Sequence, residues 1–264
     1  MITWGISANS HDGSLAVFDN DELVFASHTE RFSGLKNDPH LNKPLLDYAR
    51  LWGEPNEVIW YEKPFKKTIR QLSAGQGWNW NENNVKSYLK SYQISAPVAY
   101  STHHHSHAAA GYYTSGFKDA TILCIDSIGE FETLTIWEGK GNKLNKVFSQ
   151  GYPHSIGLWY SAMTQRVGLK PNEDEYILMG MSAYGDYRQH YHHMKEIFFE
   201  LGPHDHWQFP NVKFKQNLHR GCRWYREGYT KWTDKLNIAS TTQNIYEEIF
   251  SGIVQYCRST YKSN

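Results

Sequence analysis

Apolar and smaller residues alternate from the first positions of the chain. Ile2, Trp4 and Ile6 share one side of residues 2–9, a period of two that predicts a strand. Residues 10–14 (SHDGS) are a polar, glycine-containing turn, and residues 15–18 and 23–27 read as two more strands. Asp19-Asn20-Asp21 joins those two, a sequence suited to a tight turn. The same order returns at 120–126 (ATILCID), an apolar strand ending on an aspartate. It continues with a polar turn at 127–132, a strand at 132–138, a turn at 140–145 and a strand at 146–150. Between the two patterns, 41–52 and 83–92 suit helices and 97–101 suits a short strand. Beyond them, 160–167 reads as a helix following a turn at Gly157. The stretch 190–235 has poor periodicity and is expected to be an irregular insertion with one helix near 191–201. The last segment, 238–261, places Ile245, Ile249, Ile253 and Tyr256 four, four and three residues apart, the spacing of one helical face.

A strand, an acidic turn and a meander, used twice about 120 residues apart, imply a duplicated α/β architecture. Actin-like (ASKHA) folds are built this way, from two ribonuclease-H-like lobes with the ligand near the turns that follow each first strand. The expected lobes are 1–118 and 119–264. No further parallel strands or helices follow the 238–261 segment, so the second lobe is expected to be incomplete. The sequence is then a fragment or is completed by a partner chain.

Aromatic residues make up 15% of the 264, with 10 Trp and 18 Tyr, so large rings supply the core that a 40% hydrophobic share would otherwise leave thin. Lys+Arg and Asp+Glu are both 27, a balance that gives no electrostatic draw toward nucleic acid or an anionic membrane. Cys124, Cys222 and Cys257 are odd in number and far apart, which implies neither a disulfide framework nor a zinc ribbon and suits a reducing, cytoplasmic compartment. No run approaches the ~18 apolar residues of a membrane span.

The sharpest chemical feature is THHHSHAAAGY, residues 102–112. Alanine after a strand end favours a helix, and on a helix His103 and His107 share one face. Two imidazoles so placed can grip a borderline metal, although a histidine-rich surface turn has the same sequence. Asp126, at the tip of the repeated first strand, is the carboxylate that would complete a ligand set. His11-Asp12 in the first acidic turn offers a general base or substrate-orienting pair, with a plain Asx-type turn as the bland alternative. Gly129, in Ser127-Ile128-Gly129-Glu130, would let backbone approach a phosphate or acyl group. His190, His192, His193, His204 and His206 are read as surface or ring-stacking residues. No nucleophilic Cys or Ser signature and no GxxxxGK[ST] loop is present.

Five ordered segments together resemble the O-carbamoyltransferases of antibiotic and nodulation-factor biosynthesis. GISANSHDGSLAVFDNDELVFASHTERFSGLKND is similar to that family's opening, with its Glu-Arg-Phe element at Glu30-Arg31-Phe32. HHHSHAAAGYYTSGF resembles its HHxxH metal helix and IDSIGEFET its Asp-Gly-x-Gly-Glu turn. The run SIGLWYSAMTQRVGL through EYILMGMSAYG, and then IASTTQNIYEEIF, resemble the blocks that follow. The resemblance implies His103, His107 and Asp126 as ligands of a divalent metal, iron first, with zinc or manganese as alternatives. It implies His11 and Asp12 as catalytic residues, and Ser127, Gly129, Glu130 and Gly180 along the substrate cleft. The reaction it implies moves a carbamoyl group from carbamoyl-adenylate to a hydroxyl acceptor. The donor is made from carbamoyl phosphate and ATP by a YrdC-like domain, here expected on a partner chain, and a homodimer is a further expectation.

The sequence departs from the family pattern in three places. Ser127 stands where the family has glycine, Ile177 where it has lysine, and Ser182-Ala183-Tyr184-Gly185 where it has Ala-Pro-Tyr-Gly. The family's glycine-rich nucleotide segment, last aspartate ligand and YrdC-like domain would all lie beyond Asn264, so metal binding by this chain is expected to be weak. The competing readings are a non-catalytic remnant or metal-binding module of the same fold, and another actin-like ATP-dependent kinase or hydrolase, which would have no need of the histidine pair.

Overall fold

The computed structural model describes residues 1–264 apart from 11, 201–210, 213–217, 219–220 and 262–264. The chain divides into two compact units, Met1–His107 and Ala108–Asn264.

The first unit is a five-stranded mixed sheet with helices against it. Strands β1 (Ile2–Ser7), β2 (Ser14–Asp19) and β3 (Glu22–His28) form the expected antiparallel meander. The β2–β3 turn holds Asn20 at φ +55°, a left-handed conformation that asparagine tolerates better than most residues. After the one-turn helix α1 (Glu30–Ser33) comes α2 (Lys43–Arg50). It starts where the Asn42 side chain accepts the Leu45 N–H, with Pro44 inside the first turn. Strand β4 (Glu57–Trp60) then runs parallel to β1, followed by α3 (Pro64–Ser73), α4 (Val85–Ser91) and β5 (Val98–Tyr100) parallel to β4. The sheet order β3-β2-β1-β4-β5, a meander continued by two parallel strands, is that of a ribonuclease-H-like lobe. Trp4, Ile6, Leu15, Val17, Leu45, Leu46, Val58, Trp60 and Leu89 form its core.

Strand β4 and helix α3 were not legible as such. Four residues, EVIW, are too few to show a period of two. In α3 the residues the fold buries are Lys67, Thr68 and Arg70, while Phe65, Ile69 and Leu72 face outward. A polar inner face inverts the pattern that periodicity detects.

Helix α5 (His103–Ser115) crosses from one unit to the other. The second unit opens with β6 (Asp119–Gly129), β7 (Glu132–Lys140) and β8 (Lys143–Gly151), an antiparallel meander that repeats the first in order. Strand β6 runs through the expected polar turn at 127–132 and reaches Gly129 by a bulge after Ile125, so only residues 130 and 131 turn. Helix α6 (Ile156–Arg166) is capped by Ser155, whose hydroxyl accepts the Leu158 N–H. Helices α7 (Glu175–Ser182) and α8 (Tyr191–Phe198), the short pair β9 (Phe199–Glu200) and β10 (Asn211–Val212), and the long α9 (Trp232–Thr260) follow. The expected apolar face of α9 is present: Ile245, Ile249 and Ile253 are fully buried with Trp159, Met163, Leu178 and Phe198. Each such side chain contributes about 1.5–3 kcal/mol on burial. The helix starts six residues earlier than periodicity suggests, where Asp234 accepts the Lys231 N–H. Among the described residues no helix is long and apolar enough to cross a membrane.

Candidate metal centre

The four histidines at the start of α5 have different surroundings. His104 is fully buried, and His105 is exposed with its Nδ1 3.1 Å from the Ser101 hydroxyl. His103 and His107, one turn apart, bring their Nε2 atoms to 3.0 Å, with ring centroids 4.7 Å apart. In two neutral imidazoles, one Nε2 must carry the proton for that contact to be a hydrogen bond. Two lone pairs aimed at one point are the arrangement a borderline cation accepts, so the donor set fits such an ion. The helix start is fixed by Ser106, whose hydroxyl donates to the Tyr61 carbonyl at 2.8 Å, tying α5 to the end of β4.

Behind His103 lies a carboxylate that sequence reading missed. Glu62 is 5% exposed, and its Oε2 is 3.8 Å from His103 Nδ1. Its other oxygen accepts from the Lys67 ammonium at 2.6 Å and from the Tyr61 hydroxyl at 2.8 Å. Burial pushes the Glu62 carboxyl upward. His103, the Lys67 ammonium and the Tyr61 hydroxyl outweigh that, so its pKa lies below the ordinary value. An ionised carboxylate facing Nδ1 favours a proton there and leaves the Nε2 lone pair for a ligand, the support that metal-binding histidines generally receive. The signal available was position: Glu62 follows a strand end, where parallel sheets carry their sites.

His11 lies outside the described residues, as do His204 and His206. Asp12 is half-buried at φ +54°, in a turn pinned by the Asn9 N–H to the Pro39 carbonyl (2.8 Å) and the Gly13 N–H to the Asp38 carbonyl (2.7 Å). A side chain at Gly13 would meet Thr29 Oγ1 at 2.9 Å and the Asp38 carbonyl at 3.1 Å, so the packing of this turn requires glycine. The His190 and His193 rings lie against those of Tyr229 and Tyr225 in tilted rather than stacked contacts, 57° and 36° between planes, and His190 is buried rather than on the surface.

In the second unit, Asp126 is half-buried and its Oδ1 accepts the Ser127 N–H at 2.6 Å. Ser155 braces this strand end by donating to the Ser127 carbonyl at 2.6 Å. Helix α6 approaches so closely that a Cβ on Gly157 would lie 2.8 Å from both the Asp126 carbonyl and the Ser127 nitrogen. Gly129 is buried, and Glu130, also buried, turns the chain at φ +57°. Gly180 sits on the exposed side of α7 with nothing within 4 Å of an added Cβ. Ile177, where the family has lysine, packs against the core of this unit. Burial raises the Cys124 thiol to about 11 and the Cys222 thiol to about 12, so neither is a thiolate at neutral pH.

The chain is 31% identical over 211 residues to an uncharacterized protein of Synechocystis sp., covering 69% of this chain and 34% of that one. It is 23% identical over 261 residues to nodulation protein NolNO of Sinorhizobium fredii, covering 93% of this chain and 38% of that protein. This chain therefore spans about a third of the length of these relatives. Among solved structures it is similar to the Aquifex aeolicus Ppx/GppA phosphatase at 12% identity and a TM-score of 0.35, covering 97% of this chain and 92% of that one, a likeness that bears no weight here. Residues 56–259, well over half of the chain, match the model described as the carbamoyltransferase N-terminus, and this chain belongs to that family.

Proposed function

We propose that this chain carries the acceptor side of an O-carbamoyl transfer, with His103, His107 and Asp126 as ligands of a divalent metal, iron first. The observation that carries the reading is the His103–His107 pair, Nε2 to Nε2 at 3.0 Å and backed by the ionised Glu62. A bound metal would supply Lewis acidity, polarising the carbamoyl carbonyl or holding the phosphate. Glu62 orients His103 through Nδ1, and Lys67 and Tyr61 hold Glu62 in turn. In the transfer, the acceptor oxygen forms a bond to the carbamoyl carbon as the bond from that carbon to the phosphate oxygen of the adenylate breaks. AMP departs, and the acceptor's hydroxyl proton passes to a base, the role assigned to His11 beside Asp12. Ser127, Gly129, Glu130 and Gly180 are proposed as substrate contacts. Carbamoyl-adenylate is proposed to come from carbamoyl phosphate and ATP at a YrdC-like domain, on this protein or on a partner chain.

Elemental analysis after metal loading tests the site. Wild type is expected to retain measurable, weakly held iron or zinc, and His103→Ala/His107→Ala to lose it. Equal retention by both, or by neither, would overturn the ligand assignment. Retained metal without carbamoyl transfer in the presence of a supplied YrdC-like domain would favour the non-catalytic metal-binding module.

A further inference from the structure

Helix α3 is built inside out. At about 100° per residue, Leu72, Phe65 and Ile69 fall on one narrow stripe of its surface, with Lys67 and Arg70 on the opposite side and Thr68 between. The fold buries the polar side and exposes the apolar one, leaving Phe65 57% and Leu72 52% exposed. The inversion is enforced from within. The Lys67 ammonium donates to the buried Glu62 carboxylate at 2.6 Å and to the Asn9 carbonyl at 3.2 Å. The Thr68 hydroxyl accepts from the Asn83 amide at 2.9 Å, and Arg70 donates to Gln76 Oε1 at 3.1 Å. Rolling the helix to bury its apolar stripe would break these bonds and pull a buried ammonium off its carboxylate. The apolar stripe therefore stays outside.

The loop that leaves α3 adds to it. The Trp80 ring meets Phe65 edge-on, with centroids 6.3 Å apart and planes at 80°, and Trp78 is 57% exposed. Gly75 and Gly77 take left-handed φ of +73° and +89°. An added Cβ would meet nothing within 4 Å at Gly75, and only the Asn79 side-chain oxygen at 3.9 Å at Gly77, so this loop stands clear of its surroundings. Large apolar side chains concentrated on one helix and the loop that follows mark an interaction surface, unlike exposed residues scattered singly.

The charge of the segment points to what it meets. Lys+Arg and Asp+Glu are both 27 over the whole chain, yet residues 63–81 hold Lys63, Lys66, Lys67 and Arg70 and no acidic residue. Lys67 and Arg70 turn inward, while exposed Lys66 borders the stripe about 60° around the helix from Ile69. An outer face of phenylalanine and aliphatics, lysine at its margin and tryptophan beside it suits the headgroup boundary of an anionic bilayer. Rings and aliphatic side chains enter the acyl edge there, and ammonium groups stay with the phosphates. A bilayer also needs no shaped pocket to receive a loop that stands clear.

We propose that α3 and residues 74–81 dock the first unit on an anionic membrane surface. Phe65, Ile69, Leu72, Trp78 and Trp80 enter the boundary between headgroups and acyl chains, and Lys63 and Lys66 face lipid phosphate. The docking rests on no property of the histidine pair and is independent of the carbamoyl-transfer reading.

The test is sedimentation of the full chain with vesicles of phosphatidylcholine alone and of phosphatidylcholine mixed with phosphatidylglycerol. Wild type is expected to sediment with the mixed vesicles, far less with the neutral ones, and to be released by raised salt. Phe65→Ser/Leu72→Ser, at two exposed positions, is expected to lower the partition coefficient by about tenfold or more. Lys66→Gln, which leaves the apolar stripe intact, should lower it about fivefold. Acyl chains brominated near the headgroup are expected to quench wild-type tryptophan fluorescence, and to quench Trp78→Phe/Trp80→Phe less. No sedimentation with either vesicle, equal sedimentation with both, or binding by Phe65→Ser/Leu72→Ser equal to wild type would each overturn the proposal. A dimer in light scattering that Phe65→Ser/Leu72→Ser dissociates, without vesicle binding by wild type, would assign the surface to a second copy of this chain instead.

Discussion

The two units start from the same meander and use it differently. In the first, two parallel strands extend the sheet beyond β1, and the ends of β4 and β5 carry Glu62 and the start of α5. Polar residues go inside: Glu62, Lys67, Thr68, Asn83 and His104 are all buried there. In the second, the described sheet stops at three strands, and its core is dominated by α6 and α9 packing aliphatic and aromatic side chains. Its chemical residue, Asp126, sits on a bulged strand that helix α6 braces at backbone distance. The first repeat buries a linked charged set, Glu62 with Lys67, beneath the ends of its parallel strands, while the second packs aliphatic and aromatic side chains against α6 and α9 and carries Asp126 on its bulged strand. Duplication fixes where a site is placed; the residues that follow each meander determine its chemistry.

The largest expected effect concerns the buried charge of the first unit. Lys67→Met leaves Glu62 buried without its ammonium, at a cost of about 3–5 kcal/mol in urea unfolding. Glu62→Gln/Lys67→Met is expected to recover most of that loss, and a double variant as unstable as Lys67→Met would refute the pairing argument. The rigidity of the second unit is tested by Gly157→Ala, expected to cost about 1–3 kcal/mol because the atoms it meets are backbone. Gly180→Ala, which meets nothing, should instead stabilise its helix by about 0.5–1 kcal/mol. If both glycines behave alike in denaturation, close approach of α6 is not what braces Asp126.

The smallest effect separates the units by acid sensitivity. Burial holds the His190 pKa below 6.5, and the Arg226 charge adds to this; His193 is shifted the same way. The unfolded chain therefore takes up these protons first, and the second unit loses stability as pH falls below about 6.5. Glu62, also depressed, keeps its contribution until pH falls below the usual 4.5. Thermal midpoints measured from pH 7 to 5 should fall for wild type and fall less for His190→Gln. Parallel slopes would show that His190 is not the sensor.

The histidine pair of the candidate site was legible because its residues are local. His103 and His107 are one helical turn apart, so sequence spacing alone puts them on one face. Glu62 was not legible, since its meaning depends on β4 lying parallel to β1 and on α5 returning over its end. Lys67 was not legible either, because it lies on a segment whose apolar residues face outward. Gly157 read as a turn, and its necessity became visible only as the distance from α6 to the Asp126 carbonyl. The continuation of β6 through residues 127–129 was missed because a bulge carries polar residues along a strand.

By itself, the sequence determined the two meanders, the apolar face of the last helix, the histidine pair and the family, all patterns set by residues within a few positions of one another or by segments in fixed order. Only the tertiary structure decided which lysine and glutamate go inside and which glycines no other residue can replace. Those outcomes depend on distances between residues far apart in the chain, and on burial that makes an unpaired charge or a misplaced methyl group costly.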